Sequence, residues 1–294
     1  MQKQEKGDKT MDKMIKKDTF NVSLEIFPPK KEEEFAGAFE LLDKLALLKP
    51  DFISVTYGAG GSCSKKTVEM TSYIHNTLHI PALAHLTCVG NTKQDIDSVV
   101  SDLKAAGIHN VLALRGDRPV YMTDEQYNAR EFEHASDMIT YLKETTDFHI
   151  AGACYPEKHF EAASFKEDIK YLKQKVDAGA KMLISQLFFD NDMFYRFEEM
   201  ANIAGIHVPI CAGIMPITTS KQLGTTVSLS GSSVPKKLAD IIATYDDKPE
   251  DMRKAGIEYA VNQILDLKAH GVNDIHLYSM NKAKTTKEIF EAIR

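Results

Sequence analysis

The chain has 294 residues, 43% of them apolar, enough for a substantial core and more than one ordinary domain usually holds unless the fold is a barrel. Its formal net charge of -6, from 36 basic and 42 acidic side chains, excludes the concentrated positive surface that nucleic-acid binding requires. A small-molecule partner is the expectation that remains.

Residues 1–18 are rich in Lys and acidic side chains and carry no apolar stretch of the kind a signal peptide needs, so they read as a flexible charged tail ahead of a catalytic domain over 19–294. No later stretch approaches the roughly 18 uninterrupted apolar residues of a membrane span. A soluble, cytoplasmic protein with no membrane partner is expected.

Eight short β-branched or apolar runs follow, at 22–27, 52–57, 82–87, 110–114, 149–153, 182–188, 209–214 and 274–278. Amphipathic segments such as 35–48, 92–106, 165–178 and 253–270 lie between them, with apolar residues recurring at three and four positions. Gly107, Gly179 and Gly271 follow three of these where a helix ends. Repetition of helix, glycine, strand predicts an α/β fold, a single (β/α)8 TIM barrel, over a two-layer sheet. The stretch 118–133 reads as a long polar loop between β and α elements, at the end of a barrel where loops often carry function.

Cys63, Cys88, Cys154 and Cys211 are widely spaced with no C-x-x-C pair, so no metal site or compact disulfide framework is expected, only reduced buried thiols. In a barrel the active site lies where the strands end at their C-terminal face. Glu25, Thr56, His85, Asp117, Tyr155 and Gln186 all fall at such ends.

Glu25 interrupts an apolar strand that Pro28 and Pro29 then stop. Alternation sets Ser23, Glu25 and Phe27 on one face and Val22, Leu24 and Ile26 on the other. The second set would meet the helices, turning Glu25 inward, where lost hydration should raise its pKa and let it hold a proton. A solvent-facing rim carboxylate is the alternative.

Asp117 closes an apolar strand that runs through Arg115 and Gly116, and an ordinary Gly-Asp turn with an Arg–Asp ion pair fits it equally well. Gly58, Gly60 and Gly61 do not have dinucleotide-motif spacing, and no glycine precedes Lys65 as a P-loop demands. Tyr155 and His159 group with a lysine after the fifth strand. Gln186 precedes Phe188 and Phe189, where by pattern alone simple packing is favoured.

Taken in order from about residue 21 to 282, Ser23-Leu-Glu-Ile-Phe-Pro-Pro, Phe52-Ile-Ser-Val-Thr-Tyr-Gly-Ala, His85-Leu-Thr-Cys, Leu114-Arg-Gly-Asp, Tyr155-Pro-Glu-Lys-His and Gln186-Leu-Phe-Phe-Asp resemble the bacterial methylenetetrahydrofolate reductases. The resemblance implies an FAD at the barrel mouth, reduced by NADH or NADPH, which leaves before a folate binds in the same place. It makes Glu25 the general acid that opens the five-membered ring, giving an iminium ion that accepts hydride, and Asp117 the carboxylate beside pterin and flavin. The product would supply methyl groups for methionine synthesis.

By the same resemblance Thr56, Tyr57, Ala59, His85, Arg115, Gly116, Asp117, Ala135, Tyr155, His159, Asp168 and Lys175 meet the flavin or nicotinamide, and Asp117, Gln186, Gln222 and Lys282 the folate. His134, Tyr171, Gln174 and Thr226 depart from residues common in relatives. No eukaryotic-type regulatory domain is expected after residue 294, and a homo-oligomer is implied. The competing readings are another flavin barrel, such as a proline dehydrogenase, and a non-catalytic binding module.

Overall fold

The computed structural model describes residues 14–29, 31–57, 61–119 and 121–294, with the backbone alone for residues 32 and 61–64. Eight strands form a closed barrel in sequence order: β1 (Asn21–Ile26), β2 (Ile53–Val55), β3 (Ala82–Thr87), β4 (Asn110–Leu114), β5 (His149–Cys154), β6 (Met182–Ser185), β7 (Ile210–Ile214) and β8 (Asp274–Tyr278). Every pairing is parallel, and β8 closes on β1 from Asn21↔Asp274 to Glu25↔Tyr278.

Outside the strands run α1 (Phe35–Ala46), α2 (Gly61–Ser72), α3 (Lys93–Ala105), α4 (Asp124–Asn128), α5 (Ala135–Thr145), α6 (Phe165–Ala178), α7 (Asn191–Ile203), α8 (Ser220–Ser230), α9 (Lys236–Tyr245), α10 (Pro249–Ala269) and α11 (Ala283–Ile293). The architecture is the predicted barrel.

Local chemistry sets the helix starts. Thr92 and Asp95 exchange the two bonds of a capping box at α3, the Thr92 N–H donating at 2.8 Å and the Asp95 N–H at 3.2 Å. Helix α10 begins four residues before the periodic segment because Pro249 suits a first turn and Glu250 and Asp251 favour its positive end. Inside the predicted loop 118–133, Thr123 and Gln126 cap the short α4, while Arg118 and Arg130 flank the Tyr127 ring at 5.0 and 3.9 Å.

Strand β6 stops at Ser185, three residues short of the apolar run. The Ser185 hydroxyl accepts the Gly213 N–H at 2.8 Å, and Phe188 leaves the ladder to stack on Phe194 at 4.9 Å in the helix layer. A run interrupted by Ser185 and Gln186 therefore serves two layers.

Val22, Leu24 and Ile26 enter the large core between barrel and helices, as alternation requires. A separate inner cluster of Met14, Phe52, Leu83, Leu112, Ala151, Met182, Ile184 and Cys211 fills the barrel itself. Met14 is 0% exposed there, so the last residues of the segment read as a tail close the barrel floor. Lys16 anchors them, its backbone N–H donating to Asn21 at 3.1 Å and its ammonium to Asp51 at 2.8 Å.

Removing that plug should be felt. Met14→Ala is expected to cost about 2–4 kcal/mol by the transfer and cavity terms of a buried methionine. Urea unfolding of the two proteins checks it, and equal midpoints would show that the floor is closed without Met14.

Candidate active site

Strand alternation turns Ser23 and Glu25 of β1, Ser54 of β2, His85 of β3 and His276 and Tyr278 of β8 toward the barrel axis above the apolar floor. The Glu25 Oε2 lies 3.5 Å from Nε2 of both His85 and His276. The Ser23 hydroxyl meets His276 Nδ1 at 2.7 Å, and the Ser54 hydroxyl meets Nε2 at 3.3 Å. His276 is 0% exposed and stacks on Phe52 of the floor at 5.7 Å.

Burial pushes the Glu25 carboxyl up, but its hydrogen bond to His276 and the charges of His85 and His276 outweigh burial and hold it below the ordinary carboxylate value. This corrects the expectation of a raised pKa, which counted lost hydration and could not see two imidazoles arriving from other strands. His85 is itself pushed down to about 4, by burial first and despite the pull of Glu25. Near neutrality it meets Glu25 as an uncharged ring, and the hydrogen bond with His276 is the larger contribution that holds the carboxyl down. The His85 Nε2 is buried with no hydrogen-bond partner.

Glu25 and His85 share one cavity of about 690 Å³ with Thr56, Tyr57, Arg115, Gly116, Asp117, Tyr155, His159 and Gln186. Ten of the predicted site residues thus come together from six strands. Ala59 lies outside the described residues.

The remaining candidates stand around that cavity. Asp168 and Lys175 of α6 lie behind its wall: Asp168 accepts the His159 N–H at 3.2 Å, and the Lys175 ammonium donates to the Ala153 carbonyl at 2.9 Å, 5.5 Å from the Tyr155 ring. Ala135 opens α5 beyond Cys88 and His134. Gln222 and Lys282 meet through Thr218, whose hydroxyl contacts Gln222 Oε1 at 3.2 Å and accepts from Lys282 at 3.0 Å.

Arg115 does not form the Arg–Asp pair that its sequence neighbour offered. Its guanidinium binds Glu161 through both terminal nitrogens, at 2.5 and 2.9 Å. That bond holds Arg115 above and Glu161 below its ordinary pKa. Asp117 is left to the cavity. Gly116 takes φ +83, and a Cβ there would stand 2.9 Å from Val89 and 3.0 Å from Thr87, so only glycine fits this turn.

Sequence reasoning passed over His276, Tyr278, Ser185 and Glu161. The alternation Asp-Ile-His-Leu-Tyr in β8 was the available signal for the first two, since it points 276 and 278 inward. The Tyr278 hydroxyl donates to the Ser185 carbonyl at 2.8 Å, and burial drives its pKa well up, so it stays a neutral donor. Nothing in the sequence marked Glu161.

The comparisons with known proteins decide the lineage. The family model described as methylenetetrahydrofolate reductase matches residues 10–294. The chain belongs to the methylenetetrahydrofolate reductase family. It is 36% identical over 269 residues to the 5,10-methylenetetrahydrofolate reductase of Escherichia coli, covering 92% of this chain and 89% of that one. Identity to methylenetetrahydrofolate reductase (NADH) 1 of Arabidopsis thaliana is 34%, over 90% of this chain and 46% of the plant protein.

Among solved structures, an uncharacterised Clostridium thermocellum protein that binds 5-methyl-5,6,7,8-tetrahydrofolic acid superposes with a TM-score of 0.62 at 14% identity, covering 97% of each chain. A Coxiella burnetii dihydropteroate synthase reaches 0.52 at 11% identity, covering 94% of this chain and 92% of that one. At these identities the two structures speak to the fold alone.

The His134 and Tyr171 rings stack on each other at 6.3 Å. Thr226 is buried, its hydroxyl 3.5 Å from the Met215 sulfur.

The neutral His85 has a measurable cost in acid. Its folded value, about 4, lies below the ordinary 6.5, so the unfolded chain binds the extra proton first and stability falls as pH drops through that window. The loss should reach about 3 kcal/mol, taking 1.36 kcal/mol per unit. Denaturant midpoints from pH 7 to 4 check it, with His85→Asn expected to flatten the slope.

Proposed function

We infer that this chain is an enzyme that reduces 5,10-methylenetetrahydrofolate to 5-methyltetrahydrofolate. Its bound carrier is FAD and its reductant NADH or NADPH, with nicotinamide and folate using the barrel mouth in turn. One observation carries the reading: Glu25, Asp117 and Gln186 surround a single cavity, with cationic Arg115 on its wall and Lys175 behind it. Family membership supplies the reaction.

The residues suit a flavin. The cavity has the size and mixed polarity of a cofactor pocket, and the buried, unbonded His85 Nε2 is a polar atom awaiting a ring heteroatom. Arg115 and Lys175 are the groups to hold anionic oxygens, with Tyr155, His159, Gly116, Thr56, Tyr57 and Ala135 completing the proposed cofactor set. The flavin, when bound, supplies a two-electron carrier that takes hydride from the nicotinamide and gives it to the folate methylene carbon.

Glu25 is the proposed acid, and the bond it must help break joins the methylene carbon to the nitrogen on the aminobenzoate side, since the product's methyl group stays on the pterin nitrogen. The Ser23 hydroxyl can donate to the Ile275 carbonyl at 3.1 Å, which leaves its lone pair to receive an Nδ1–H from His276. The His276 Nε2 then faces Glu25, and one proton serves the pair. Delivering that proton to the departing nitrogen opens the ring and leaves the iminium carbon to accept hydride. An acid held below the usual range when the cavity is open to water is compatible with this role once a pterin fills the space and removes that water.

Asp117 is the proposed electrostatic partner of the iminium cation. Gln186 offers both a donor and an acceptor to the pterin edge. Lys282, with Gln222 beside it through Thr218, is the proposed folate contact on the opposite side of the mouth. Among the described residues no helix is long and apolar enough to cross a membrane, and a cytoplasmic homo-oligomer is the setting we propose.

Glu25→Gln is expected to leave flavin reduction by the nicotinamide within a few-fold of normal. Folate reduction should fall by about 100- to 10,000-fold, the usual worth of a positioned acid. Anaerobic stopped-flow of each half-reaction reads both numbers, and equal loss in the two would remove Glu25 from its role.

With Asp117→Asn the flavin should become easier to reduce, because an anion near it is gone, while folate reduction slows by about tenfold or more. Spectroelectrochemistry gives the potential. A potential that does not move would separate Asp117 from the flavin.

A further inference from the structure

The end of β1 is held by an arrangement that the proposed chemistry has not used. Pro28 and Pro29 lack N–H donors, so the backbone ladder between β1 and β8 cannot run on past Phe27. On the β8 side the last backbone donor is Ser279, whose N–H reaches the Glu25 carbonyl at 3.2 Å while its hydroxyl reaches the same oxygen at 2.6 Å. Beyond it the chain turns back.

The turn consists of Met280 at φ 50 and Asn281 at φ 54, two consecutive left-handed residues without a glycine. Each costs of order 1 kcal/mol, which the surrounding contacts must offset. The contacts are specific: Asn281 Oδ1 accepts the Phe27 N–H at 3.2 Å, and Asn281 Nδ2 donates to the Phe27 carbonyl at 2.9 Å. In the parallel ladder Phe27 would have donated to one residue of an extended β8 and accepted from another, and the Asn281 carboxamide supplies both bonds at once. A carboxamide side chain thus extends the ladder by one rung.

Glu25 therefore sits between two fixed points, its own carbonyl taking both Ser279 donors and Phe27 two residues on being held by Asn281. Its carboxylate is faced by His85 from β3 and by His276 and Tyr278 from β8. Both imidazole contacts are 3.5 Å long, so a small rotation of the strand end would lose one of them. Asn281 itself is not among the residues lining the cavity.

We propose that Asn281 is a positioning residue for the folate half-reaction, acting through Phe27 and the strand end to aim the Glu25 carboxylate. The proposal rests on the reading of Glu25 as the acid. Asparagine is suited to both demands, since it tolerates the left-handed conformation and is a donor and acceptor at once. Aspartate keeps the conformation and the acceptor but loses the donor. Glycine keeps only the conformation.

The test compares Asn281→Gly and Asn281→Asp with the natural enzyme and with Glu25→Gln. In flavin-free protein, infrared difference spectra isolate the Glu25 carboxylate band by subtracting Glu25→Gln. Its titration should move up by roughly one pH unit in Asn281→Gly, because imidazole contacts are lost. In the flavin-loaded enzyme, stopped-flow should find nicotinamide oxidation within about twofold of normal and folate reduction slowed by roughly 10- to 100-fold, less for Asn281→Asp.

An unmoved Glu25 titration, or equal slowing of both half-reactions, would overturn the positioning role. So would failure of both variants to fold, which would make Asn281 a scaffold residue. A normal folate half-reaction in Glu25→Gln would instead sink the acid assignment, while the infrared titration still reads what Asn281 does to the carboxylate.

Discussion

An ionised carboxylate inside a barrel forfeits hydration worth several kcal/mol even after relaxation, and Glu25 must recover it from fixed partners. Its neighbours come from β3 and β8, so the recovery depends on the barrel being closed: β8 pairs with β1 through Glu25↔Tyr278, bringing His276 alongside. The layers below follow from the same demand. Phe52 stacks under His276 and Met14 plugs the floor, which keeps water away from the polar layer from beneath. The cup is dry below and open above.

Charge on the opposite wall is balanced in a different way. Arg115 is tied to Glu161 on the surface side, and Lys175 is drawn down from its ordinary pKa by burial while Asp168, close by, is pushed up by burial. Each cation thus keeps an anion within reach in the free protein. A flavin with anionic oxygens would replace or join those anions without requiring a new charge to be buried.

Two further contacts lie among the elements around the cavity. The stacked His134 and Tyr171 rings join the start of α5 to the first turns of α6, next to the elements that carry Ala135 and Asp168. Thr226 on α8 turns inward to the Met215 sulfur, so the side chain at that position packs against its own protein.

Periodicity made the barrel legible: β3, β4 and β8 begin and end where the apolar runs do, and alternation alone turned Glu25 inward. The motif set was specific enough to name a family because strand-end residues are tied to chemistry. Tertiary structure decided what lies across the axis. That His276 and His85 share Glu25, that Arg115 prefers Glu161 to Asp117, and that Asn281 completes the β1 ladder are contacts between residues 46 to 254 positions apart. Lost hydration is a property of one residue and its strand, so the sequence could signal it. The sign of the Glu25 shift depended on partners that only closure of the barrel brings within 3.5 Å, and no local pattern contains that distance.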